Sequence, residues 1–194
     1  VRIALQHATN KQNISDGIFY GLEKPADTLF ASTIPYCDIK LEPYAYNLEL
    51  AGQILDDAGW KMGSGNVREK DGQPLNIDLL YNSDSVTEKS IAEYLQSEYQ
   101  SIGVSLNIHG EEEQSYRDNM KAGNFDMVFN ICWGTPYDPQ SSLAAMRAPV
   151  YGDYAAQLGL DDKAEIDDAI TEILITTDEN RRQELYTYVL TQIG

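Results

Sequence analysis

The sequence predicts an α/β fold with a mostly parallel sheet flanked by helices, and three observations in its middle third predict it. Leu75, Ile77 and Leu79 alternate with polar residues, and so do Val104, Leu106 and Ile108; a period of two marks half-buried strands. Between them Ile91, Leu95 and Ile102 recur at helical spacing, opened by Ser85 and Glu88 in a capping-box pattern and stopped by Gly103. A second helical stretch, 113–122, ends at Gly123 and leads into the apolar, β-prone run 125–132. The order strand, helix, strand, helix, strand makes 75–133 a βαβαβ core, which closes into a parallel sheet through right-handed crossovers.

The remaining elements follow from local signals. Residues 1–20 read as one or two short helices, with Val1, Leu5 and Ala8 on one face. Residues 21–74 are partly irregular: Pro25, Pro35 and Pro43 punctuate the stretch to 46, and 61–74 reads as a polar loop with a turn at Asp71-Gly72. Within that stretch a helix from Asn47 to Ala58 is expected, because Asn47 is a natural N-cap, Leu48, Ala51 and Leu55 share a face, and Gly59 follows. Asp138–Met146 suggests a short helix. The tail, 161–194, is helical, with one stripe of Ile166, Ile170, Ile173 and Leu174 and another of Leu185, Val189 and Ile193.

Charge narrows the partners. Fourteen basic residues against 31 acidic ones give a net charge of −17, which repels phosphate backbones and anionic lipid, so nucleic acid and membrane surfaces are disfavoured. The same charge attracts a cationic partner or simply keeps the protein in solution. Cys37 and Cys132 lack any metal-type spacing and neither demand nor exclude a disulfide. No apolar stretch reaches the roughly 18 residues of a membrane helix. The chain opens at Val1 within one helical pattern and stops at Gly194 directly after another. The expectation is therefore a fragment of a longer protein, in which the missing leader says nothing for the cytoplasm.

In open α/β sheets, ligands gather beyond the carboxyl ends of the strands. Three segments end strands on that margin: 81–84, 109–113 and 133–139. In the last, the apolar run delivers Trp133 and Tyr137 into a turn stiffened by Gly134, Pro136 and Pro139. Two rings, an indole N–H and a phenol suit the wall of a small-ligand site, and they suit a cap on the hydrophobic core equally. Glu111, Glu112 and Glu113 beside His109 offer ligands to a cation, but three acids entering a helix also favour its positive end. His109 lies on the alternating strand and His7 on the opening helix, where packing or solvation explains each. Arg147 offers a partner to an anion or an ordinary surface ion pair. Enzyme templates fail: Gly63-Ser64-Gly65 is followed by Arg68 where a dinucleotide fingerprint needs glycine, and no nucleophile elbow, zinc-protease motif or phosphate loop occurs. Acid pairs such as Asp56-Asp57 and Asp161-Asp162 are too common here to nominate a glycosidase pair.

The chain resembles the second lobe of extracytoplasmic solute-binding proteins of peptide and nickel ABC importers, the family 5 type. The resemblance rests on Val1–Leu5 with Asn10-Lys11, Ala26–Phe30, Ala58-Gly59-Trp60, Arg68–Leu75, Gly110–Glu113, Trp133–Pro139, Met146–Pro149 and Gly159-Leu160, in order along the chain. The segments Arg68–Leu75, Gly110–Glu113 and Trp133–Pro139 point to the nickel branch. The resemblance implies that 1–194 forms a single lobe of a two-lobed protein. That protein closes on its cargo outside the cytoplasm, free in the periplasm or anchored as a lipoprotein, and hands it to a membrane permease. It implies no catalysis and no covalently bound cofactor. The expected cargo is nickel carried as a small organic chelate, with Trp133 and Tyr137 in the aromatic wall and an arginine of the other lobe balancing carboxylate charge. One departure matters. Where the nickel branch can carry a histidine after the Met-Arg-x-Pro segment, this chain has Tyr151, and Gln140 stands at another such position. Phenol is a poor nickel ligand at neutral pH, so Tyr151 is expected as a contact residue and no metal ligand is expected from this chain. The alternatives are an oligopeptide carrier and, from another class, a carboxylate-based hydrolase using Glu111, Glu112 or Glu113.

Overall fold

Two short helices open the chain, α1 (Arg2–His7) and α2 (Lys11–Gly17), the second capped by Asn10, whose side chain accepts from the Asn13 N–H at 3.0 Å. The structure, a computed structural model, describes residues 1–130 and 139–194. Its contacts divide the chain into two compact units, Val1–Pro25 with Pro43–Arg117 and Phe125–Phe129, and Ala26–Glu42 with Asp118–Asn124 and Asn130–Gly194.

In the first unit, α3 (Leu48–Asp57) starts where the sequence expects: the Asn47 carboxamide accepts from the Leu50 N–H at 2.9 Å, and Gly59 follows with φ +88°. Its buried face, Ala51 and Leu55, packs with Leu5 and Ala8 of the opening segment. The next stretch corrects the sequence reading. Residues 61–74, expected as a loop, form a small antiparallel meander of β1 (Lys61–Met62), β2 (Arg68–Lys70) and β3 (Gln73–Pro74). Asp71 and Gly72, both left-handed (φ 54° and 77°), close the two-residue hairpin that pairs Lys70 with Gln73.

The meander is held by a buried cation. Arg68 donates to the carbonyls of Ile102 and Trp60 at 2.7 Å each and to the Asp56 carboxylate at 3.0 Å, while its backbone N–H reaches the Gly103 carbonyl at 2.7 Å. One residue thus ties the end of α3 to β2 and, through Ile102 and Gly103, to the turn ahead of the parallel sheet's second strand.

The parallel sheet follows the expected order: β4 (Asn76–Asn82), α4 (Val86–Ser101), β5 (Ser105–Glu111), α5 (Glu113–Ala122) and β6 (Met127–Val128). β4 is central, in the spatial order β5-β4-β6, and runs parallel to both neighbours, with Asn76 opposite Ser105 through Asn82 opposite Glu111. Ile77, Leu79, Tyr81, Val104 and Leu106 are buried with Ala92, Leu95 and Tyr99 of α4. Gly103 and Gly123, at φ 80° and 72°, stop the two helices. Within the predicted strand 125–132, the ladder among the described residues covers Met127–Val128. Bonds from the Asp126 N–H to Asp78 and from the Phe129 N–H to Leu80 continue it on either side.

The second unit is helical: α6 (Gln140–Met146), α7 (Gly152–Gln157), α8 (Lys163–Ile173) and α9 (Glu179–Ile193). Of the two predicted stripes, Ile166, Ile170, Ile173, Leu185 and Val189 are buried in one core with Tyr186, and Leu174 and Ile193 are partly buried against it. Phe30 and Cys37, from a stretch that forms neither helix nor strand, enter the same core, and Tyr36 stacks on Tyr186 at 4.8 Å with its ring also facing the Arg182 guanidinium. The helix α7 was not expected. Its first residue is a glycine because the backbone meets the end of α5 there: a Cβ on Gly152 would stand 2.3 Å from Met120 Cγ.

Candidate functional site

Parallel pairing brings two of the three nominated segments together at the carboxyl margin of the sheet. Asn82 and Glu111 lie opposite one another, and the Ser83 N–H donates to the Glu111 carbonyl at 2.8 Å. Four of the side chains there are bonded within the fold. Asn82 donates through Nδ2 to Glu113 Oε2 at 2.5 Å, and its backbone N–H donates to Glu88 at 2.8 Å. Ser85 caps α4 through the Glu88 N–H at 3.2 Å, so the expected capping box is half formed, with the Glu88 carboxylate turned to Asn82. Glu111 accepts from the Ser115 hydroxyl at 2.8 Å, and Glu113 accepts from Arg117 Nε.

The sequence reading missed Tyr116, although it is the one ring in a mostly polar helix, which was the available signal. It is buried, and its hydroxyl donates to the Phe129 carbonyl where the chain leaves β6. Burial, with the nearby Glu88 and Glu113 charges adding to it, pushes its pKa up to about 12.

His109 does not join the glutamates. It lies on the exposed face of β5, 3.1 Å from Asp78 Oδ1, which also accepts from Asn107 Nδ2 at 3.0 Å. Those two bonds, Asn107 first, lower the Asp78 pKa. Among the described residues no group of three or more His, Cys, Asp or Glu side chains is arranged to hold a metal ion. His7 is engaged by the Ala45 carbonyl at 2.7 Å and by the edge of Tyr44.

Trp133 and Tyr137 lie outside the described residues. Tyr151 is described: it is the N-cap of α7, extended at φ −114° and ψ 147°, with 51% of its surface exposed. Its N–H closes a turn onto the Ala148 carbonyl at 3.0 Å, and Arg147 just before that turn is exposed. Gln140, the other residue singled out as a departure in the sequence, accepts from Arg182 at 3.1 Å.

A family model of the bacterial extracellular solute-binding proteins, family 5 Middle, matches residues 1–153. The chain belongs to this family. Over all 194 residues it is 43% identical to the nickel-binding periplasmic protein of Escherichia coli strain K12, and it spans 37% of that protein's length. It is 25% identical over 186 residues to the dipeptide-binding protein of the same organism, spanning 34% of it. Among solved structures, NikA from Brucella suis in complex with Fe(III)-EDTA matches 99% of the chain and 39% of its own length, at 46% identity and a TM-score of 0.94. The parallel sheet flanked by helices is therefore the α/β fold of family 5 solute-binding proteins. Among the described residues no helix is long and apolar enough to cross a membrane.

Proposed function

We propose that the chain is part of one lobe of the substrate-binding component of an ABC importer, and that its cargo is nickel held as a small organic chelate. The observation that carries this is the match to NikA in complex with Fe(III)-EDTA, at 46% identity over nearly the whole chain. A chelated metal presents carboxylates and methylene groups in place of open coordination sites. Its recognition calls for aromatic faces and hydrogen bonds, and a protein ligand to the ion is not needed. Trp133, Tyr137 and Tyr151 are the residues assigned to that contact, with Tyr151 packing against the chelate. Capture proceeds by closure of two lobes, with no bond made or broken, and a permease receives the cargo on the outer side of the membrane.

The test is calorimetric titration of the complete two-lobed protein with nickel, with nickel plus histidine, and with short peptides. Tight binding of a nickel complex is expected. A peptide bound tightly with no nickel species bound would overturn the reading and favour the peptide carrier, which the similarity to the dipeptide-binding protein supports. Turnover on a panel of glycosides and esters that disappears in Glu111→Gln would establish the hydrolase instead.

A further inference from the structure

The turn that carries Tyr151 is held at both of its stems. Before the turn, Lys163 Nζ donates to the carbonyl of Met146, the last residue of α6, at 3.0 Å. After it, the same ammonium lies 4.8 Å from the ring centre of Tyr154 in α7. The Asp167 carboxylate accepts from Lys163 at 2.5 Å, so this largely buried cation is paired. Gly152 is seated against Met120, and Asp153 accepts from Asn130 Nδ2 at 3.2 and 3.3 Å. Between the stems the backbone reverses: the Ala148 N–H reaches the Ala145 carbonyl at 3.1 Å, and the Tyr151 N–H reaches the Ala148 carbonyl at 3.0 Å. The ends of such a turn lie within about 7 Å. Arg147 and Tyr151 therefore leave a fixed backbone close to one another, and both are exposed.

Arg147 differs from the chain's other arginines. With 31 acidic residues against 14 basic ones, a guanidinium readily finds a partner. Arg68, Arg117, Arg181 and Arg182 each bond to a side chain or a carbonyl, whereas among the described residues Arg147 makes no such bond. It closes α6, where the helix end suits a positive charge but leaves the guanidinium donors unused. Their planar fork matches a carboxylate through two parallel bonds. Elsewhere the negative surface repels an anion, so an unpaired cation in a held turn is where one can settle. We propose that Arg147 pairs with a carboxylate of the bound cargo, while the Tyr151 ring covers the adjoining methylene groups. The inference rests on the assignment of Tyr151 to the cargo. It makes Arg147 a specificity residue, selecting cargo with a free carboxylate over its neutral counterpart.

The test is calorimetric titration of the complete two-lobed protein and of its Arg147→Met variant with matched probes: nickel–histidine against nickel–histidinamide, and trialanine against trialanine amide. Within each pair a carboxylate is exchanged for a carboxamide. For the pair that binds, Arg147→Met is expected to lower affinity for the acid by at least about tenfold, the loss that charge-assisted hydrogen bonds imply, and to change the amide by less than about twofold. Thermal unfolding is expected to keep Tm within about 2 °C. Arg147→Lys, which keeps the charge and loses the fork, is expected to fall between parent and Arg147→Met. A loss shared equally by acid and amide, or no loss for either, would overturn the pairing. The cargo reading fails separately: if trialanine binds and no nickel species does, the cargo is not nickel, and the peptide pair still decides the role of Arg147. A complete protein that binds none of these probes overturns both.

Discussion

At the carboxyl margin of the parallel sheet the side chains of Asn82, Glu88, Glu111 and Glu113 are bonded to the fold, whereas in the turn joining α6 to α7 the side chains of Arg147, Val150 and Tyr151 face water. The margin looked chemically richer from the sequence, with Asn82, Glu88 and three consecutive glutamates. In the structure Asn82 holds Glu113 and Glu88, Glu111 holds Ser115, and Tyr116 holds the carbonyl of Phe129. The turn offers fewer groups, but its ring is free to meet another molecule. The difference teaches that a cluster of acids at a strand end is weak grounds for a ligand site until the bonds of each carboxylate are known. The exposed aromatic on the helix cap, by contrast, has no such internal use among the described residues.

Variants can break this contrast. The largest effect is expected from Arg68→Ala, in the framework beneath the margin. Losing charge-assisted bonds to two carbonyls should lower the unfolding free energy by about 3 kcal/mol, with little further loss from the exposed Asp56 contact. Urea denaturation measures it, and a change under about 1 kcal/mol would show that the carbonyls find water instead. Next comes Trp133→Ala, which should weaken cargo binding by about 1–3 kcal/mol, the range for a lost aromatic anchor, with Tm unchanged. Unaltered affinity in titration calorimetry would assign the ring to core packing. Tyr116→Phe should cost about 1 kcal/mol of stability, the ordinary value of a buried hydrogen bond; thermal unfolding reads it. Glu111→Gln should alter cargo affinity by less than about 0.5 kcal/mol if the margin acids are structural. A large loss there would move the site to the margin.

The smallest effect concerns pH. Asp78 is held below its usual pKa by Asn107 and His109, so its contribution is complete above the unfolded carboxylate pKa and disappears as pH falls through the lower folded value. Asp78→Asn should flatten the acid limb of the stability curve slightly, and an unchanged limb would show that the bonds are too exposed to matter.

Much of the first unit was legible in the sequence because its signals are local. Asn47 and Ser85 as caps, Gly59 and Gly103 as stops, and the alternation at 75–79 and 104–108 each act within a few residues. The meander escaped because its strands are two or three residues long, too short to show a period, and only Asp71-Gly72 betrayed it. Arg68 gave no hint of burial, since a cation between Val67 and Glu69 reads as a surface residue; only the carbonyls of Trp60 and Ile102, distant in sequence, explain it. The helix α7 was hidden by its glycine start and the lack of a capping side chain. The burial of Phe30 and Cys37 depends on helices more than a hundred residues later. For the proposed site, the sequence nominated Tyr151, and the structure shows its ring exposed. The bond between Asn130 and Asp153 was not legible, because it spans 23 positions.

The arrangement β5-β4-β6 bears on how the sheet assembles as the chain emerges from the ribosome. β4 is synthesised first and ends up in the middle, so each later strand docks on a free flank and none must thread between partners already joined. The longer pairing, β4 with β5, closes through a single intervening helix. The pairing with β6 comes last, once the β4–β5 pair already stands.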